Sequence, residues 1–93
     1  MKYLFSTDAD CKACFDEILL GLLQLEKSRQ ITEIYYQLPK DILLDSSLSP
    51  DQLIVNMKGA TQVDHDFSKY TELTDSEYSQ KKKAFKPFTQ ALI

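Results

Sequence analysis

Residues 31–59 read ITEIYYQLPKDILLDSSLSPDQLIVNMKG, and the way this stretch divides decides the fold. Ile34, Tyr36 and Leu38 alternate with Tyr35 and Gln37, which is the period of a strand. Pro39 closes that strand, because it lacks the backbone donor a ladder needs. Leu53, Val55 and Met57 alternate with Ile54, Asn56 and Lys58 up to Gly59, and read as another strand. Ser46, Ser47, Ser49 and Pro50 mark residues 40–51 as a loop, with Ile42-Leu43-Leu44 as one apolar turn dipping toward the core. The 31–38 and 53–58 segments are then expected to pair as a long-looped hairpin.

Upstream, Lys2-Tyr3-Leu4-Phe5-Ser6 is short, apolar and aromatic, and reads as a buried first strand. Thr7, Asp8 and Asp10 follow, residue types whose side-chain oxygens cap free N–H groups at a helix start. Phe15, Ile18, Leu19, Leu22 and Leu23 then recur at i, i+3, i+4, i+7 and i+8, the buried stripe of an amphipathic helix. Leu20 and Leu25 widen it, and the helix fades over 26–30.

Downstream, residues 60–72 are polar, with Val63, Phe67 and Tyr70 as isolated anchors. Thr74-Asp75-Ser76-Glu77 has the form of a capping box, flanked by Leu73 and Tyr78 as a hydrophobic staple. A second helix is expected from about Asp75 to Phe85. Lys81, Lys82 and Lys83 suit the negative end of its dipole. Pro87 stops it, and residues 88–93 (FTQALI) read as a fourth, edge strand. The order is β-α-β-β-α-β in an α+β chain, expected as one domain over residues 1–93. Its natural closure is ferredoxin-like, a four-stranded antiparallel sheet with both helices on one face. A thioredoxin-type fold would need a helix within residues 39–52, where none is read.

The composition narrows the function. The 93 residues carry a formal net charge of −3, which argues against a general nucleic-acid binder. Acids lie early (Asp8, Asp10, Asp16, Glu17) and bases late (Lys81, Lys82, Lys83, Lys86), as two solvated faces or as poles that orient a partner. No apolar run is long enough to span a bilayer and the N-terminus lacks a signal-peptide layout, so the expected location is the cytoplasm, without membrane insertion. No Ser-His-Asp signature, phosphate loop or glycine-rich turn supports a hydrolase or nucleotide-binding reading. His65, in Asp64-His65-Asp66, reads as a solvated loop residue.

Cys11 and Cys14 are the chemically distinctive pair. Three positions apart in a reducing compartment, they are a poor structural staple, and metal binding or redox chemistry is the better reading. Thiolates at i and i+3 on a first helical turn can grip one soft cation, Cu(I) or Zn(II). The helix N-terminus and Lys12 favour the thiolate; the four nearby acids oppose it. The same acids favour a bound cation, and Asp10 offers an oxygen ligand.

These residues resemble the heavy-metal-associated domain of copper chaperones and metal-transporting ATPases. That family has Cys-x-x-Cys after its first strand and apolar positions four, eight and eleven residues beyond the second Cys, here Ile18, Leu22 and Leu25. Ile31, Ile34 and Tyr36 correspond to its second strand, and Leu53-Ile54-Val55 to the hairpin partner. The resemblance covers about residues 2–59, with an echo in 86–93. The chain differs in having Asp8-Ala9 in place of Gly-Met, and Ser28-Arg29-Gln30 where the family has a Gly. The resemblance implies that Cys11 and Cys14 are metal ligands, that Asp10 is a third, and that metal passes by ligand exchange to a docked protein partner's thiolates.

Two other readings stand beside it. A glutaredoxin- or thioredoxin-like oxidoreductase would use Cys11 to attack and Cys14 to resolve, with Ser49-Pro50 imitating the cis-proline. A small non-enzymatic interaction or inhibitor protein would present residues 60–72 and the charged C-terminal helix.

Overall fold

The apolar stripe from Phe15 to Leu23 folds as its spacing requires. In the computed structural model, which describes residues 1–61 and 65–88, α1 (Lys12–Lys27) buries Phe15, Ile18, Leu19, Leu22, Leu23 and Leu25. Two bonds end it. Arg29 N–H donates to the Glu26 carbonyl at 3.0 Å and Gln30 N–H to the Leu25 carbonyl at 2.9 Å. This crossed pair draws Arg29 to φ 64°, the left-handed position that glycine usually takes at a helix end.

Before α1 runs β1 (Lys2–Ser6). After it come β2 (Ile31–Gln37), β3 (Asp41–Ser46), α2 (Pro50–Thr61), β4 (Tyr70–Leu73), α3 (Asp75–Lys82) and β5 (Lys86–Pro87). The sheet order is β4-β1-β3-β2-β5, and each neighbouring pair is antiparallel.

The stretch 31–59 divides differently from its sequence reading. Residues 41–46, expected in a loop, are β3, which pairs with both β1 and β2. Ile42, Leu43 and Leu44 are all fully buried, because β3 is covered on both faces and so shows no alternation. Residues 53–58, expected as a strand, lie inside α2. Leu53, Met57 and Thr61, four residues apart, are its buried positions, while Val55 is 64 % exposed. Ser49-Pro50 supplied the deciding signal. Ser49 caps the helix, its Oγ accepting from Gln52 N–H at 3.4 Å and its carbonyl from Leu53 N–H at 2.9 Å. Pro50 takes the first helical position, where its missing donor costs nothing. The hairpin is therefore 31–37 against 41–46, joined by Leu38-Pro39-Lys40 with a cis Leu38–Pro39 bond.

The sheet is apolar on both faces. Tyr3, Phe5, Ile34, Ile42 and Leu44 point into one core with α1 and α2. Leu4, Tyr35 and Leu43 point the other way and meet Leu73, Tyr78 and Phe85. The helix expected from Asp75 is present as α3, with its capping box closed by bonds of 2.9 and 3.1 Å between Thr74 and Glu77. It covers the second face and is anchored there: Tyr78 hydroxyl donates to Glu33 at 2.7 Å, and Lys82 Nζ to the same oxygen at 3.3 Å. Among the described residues the fold is thus α+β with three helices and a five-stranded open antiparallel sheet. The expected sheet of four strands with both helices on one face is corrected on both counts, since two apolar faces need a layer each. The edge strand expected at 88–93 falls outside the described residues beyond Phe88, whose N–H bonds the Ile34 carbonyl at 2.9 Å.

On the first face, α1 and α2 meet at Gly21. A Cβ there would lie 2.7 Å from Thr61 Cγ2 and 2.9 Å from Thr61 Cα, so only glycine lets the helices approach this closely. No described helix is long and apolar enough to cross a membrane.

Candidate metal centre

The β1–α1 loop is held from below by Thr7, which is buried. Its N–H and its hydroxyl both donate to the Lys40 carbonyl at 2.9 Å, and Oγ accepts from Ala9 N–H at 3.3 Å. The loop is thereby tied to the β2–β3 turn, with Ala9 packed inward. Asp10 and Cys11 then emerge at the surface. The helix cap is neither Thr7, Asp8 nor Asp10. Cys11 takes that position, in an extended conformation, and its Sγ accepts from Cys14 N–H at 3.2 Å.

This cap brings the sulfurs together. Cys11 Sγ and Cys14 Sγ are 2.7 Å apart, and Cys14 Sγ donates to Asp10 Oδ1 at 3.4 Å. One donor atom from each of Asp10, Cys11 and Cys14 lies within 4.8 Å of the others. Both cysteines are free thiols, Cys11 exposed and Cys14 half-buried.

Hydrogen bonding to Cys11 and then to Asp10, with partial burial behind them, pushes the Cys14 thiol up to about 11. The helix start and Lys12 therefore do not win at Cys14. Lys12 is spent on Asp16, with its Nζ 2.8 Å from the carboxylate. A raised thiol stays protonated until the pH approaches its pKa, so Cys14 is held as the thiol at neutral pH. Alkylation of Cys14 by iodoacetamide, followed by peptide mass spectrometry, is expected to quicken about tenfold per pH unit from 7 to 10. A rate already level by pH 8 would contradict this assignment.

The donor set fits a soft ion. On a tetrahedral ion with bonds of about 2.3 Å, two sulfurs stand roughly 3.7 Å apart. Reaching that spacing from 2.7 Å needs an outward swing of about 1 Å by the exposed Cys11 side chain, at the expense of its capping bond from Cys14 N–H. On such an ion two sulfurs and one oxygen would leave a fourth position open.

His65 is placed nearby but outside the cluster. Its Nδ1 lies 3.3 Å from Asp8 Oδ1 and its side chain is only 14 % exposed, so it is packed against the loop rather than solvated. Its Nε2 has no hydrogen-bond partner among the described residues. Met57, Tyr35 and Tyr36 serve the core and the sheet. The sequence reading missed Thr7 as a clamp and Leu38, Pro39 and Lys40 as neighbours of Cys11. The contact of the β2–β3 turn with the cysteine loop spans some thirty residues of sequence and leaves no local trace.

Comparison with protein-family models, with curated proteins and with solved structures finds no match.

Proposed function

We propose that this protein binds one soft metal ion, Cu(I) or Zn(II), through Cys11, Cys14 and Asp10, and passes it to a protein partner by ligand exchange. The observation that carries the reading is the convergence of three donor atoms within 4.8 Å at the exposed start of α1. The path of the chain supports it. The first six elements run β-α-β-β-α-β with strand order β4-β1-β3-β2, which we read as a ferredoxin-like unit extended by α3 and β5. The resemblance to heavy-metal-associated domains is retained on that basis, with Ile42-Leu43-Leu44 taking the hairpin place first given to Leu53-Ile54-Val55.

One observation favours a second reading, thiol–disulfide exchange: the two sulfurs are already in contact. Against it, β1 and β2 are separated by β3, and no helix lies between β2 and β3. Pro50, proposed to mimic a cis-proline, instead begins α2.

Native mass spectrometry of the reduced protein with Zn(II) tests the metal reading. One ion per chain is expected, and Asp10→Ala is expected to weaken binding about tenfold in a chelator competition, as one of three donors is lost. Absence of a one-to-one complex would end the proposal.

A further inference from the structure

The corner that holds the cysteines also contains a cavity of about 330 Å³ beside Cys11. Its apolar lining is Ala9, Leu38 and Pro39, and its charged rim is Asp10, Lys12 and Lys40. The two lysines differ. Lys12 is paired with Asp16 at 2.8 Å, whereas Lys40 has no carboxylate within ion-pair distance among the described residues. The Lys40 backbone is fixed beside the cysteine loop by both bonds from Thr7, and its side chain is exposed there. A volume near 300 Å³ lies at the small end of small-molecule sites.

Three features thus meet at one place: the Asp10, Cys11 and Cys14 donor cluster, a short apolar lining, and a lysine without an acidic partner. We propose that the cavity takes a small anionic thiol, a molecule with a thiol and a carboxylate joined by a short carbon chain. Its sulfur completes the shell of the ion and its carboxylate pairs with Lys40. On a bound ion the thiol would give its S–H proton to solvent, and its sulfur would displace the solvent ligand from the position that Asp10, Cys11 and Cys14 leave free. No electrons are transferred. The inference rests on the metal reading above.

The test loads the protein with Co(II), a spectroscopic stand-in for Zn(II). The loaded protein is titrated with 3-mercaptopropionate and, separately, with 2-mercaptoethanol, following the sulfur-to-cobalt charge-transfer band. The preference for the anionic thiol is expected to be about threefold greater in the wild type than in Lys40→Met, the size of an exposed ion pair. Lys40→Arg should retain that excess, and 1 M salt should erase it. Equal preferences in wild type and Lys40→Met, with cobalt bound in both, overturn this inference and leave the metal reading intact. Failure of the wild type to take up cobalt overturns both.

Discussion

Leu53→Ala is expected to lower the unfolding free energy by about 2–5 kcal/mol, while Val55→Ala changes it by less than about 0.5 kcal/mol. The two residues are neighbours in the alternating pattern of a strand, yet they lie on different sides of α2. Leu53 is fully buried against the core shared with α1, and Val55 is 64 % exposed. Truncating Leu53 removes buried methyl groups and leaves a cavity that close-packed neighbours only partly fill. Truncating Val55 removes little contact and substitutes a better helix former. For a domain with a total stability of roughly 5–15 kcal/mol, the first loss is a large fraction of the whole. Urea midpoints of the two variants decide the matter. Similar losses would restore the strand reading of 53–58 and with it a different sheet.

The second large effect concerns the metal. Replacing Cys11 and Cys14 together by serine is expected to weaken Zn(II) or Cu(I) binding on the order of a thousandfold, since both soft donors are lost and only Asp10 remains. The fold should survive the change. Cys11 is the N-cap of α1, and serine is among the best residues for that position. Cys14 is only half-buried. A thermal midpoint close to the wild type, together with lost binding in a chelator competition, is the expected pair of results. Retained affinity would show that the ion sits elsewhere.

Legibility in the sequence followed the range of the forces involved. The stripe of α1 and the capping box of α3 were readable because both depend on residues at most one or two turns apart. The Cys11, Cys14 and Asp10 cluster was readable for the same reason. The division of 31–59 was not, because Leu53 and Met57 fit an alternating strand and a four-residue helical repeat equally well. Only Val55, and the Ser49-Pro50 start, separate the two. The burial of Ile42, Leu43 and Leu44 depended on α3 covering a second face, a tertiary fact that reverses the reading of an apolar triplet as a turn. The Thr7–Lys40 clamp has no sequence pattern at all, since each residue alone looks like an ordinary loop position.

Zinc-edge X-ray absorption on the reduced, Zn(II)-loaded wild type bears most directly on the metal centre. Two sulfur scatterers at about 2.3 Å with the remaining shell of oxygen or nitrogen near 2.0–2.2 Å are predicted. A shell built of oxygen and nitrogen alone, without sulfur, would contradict the assignment of Cys11 and Cys14 as the ligands.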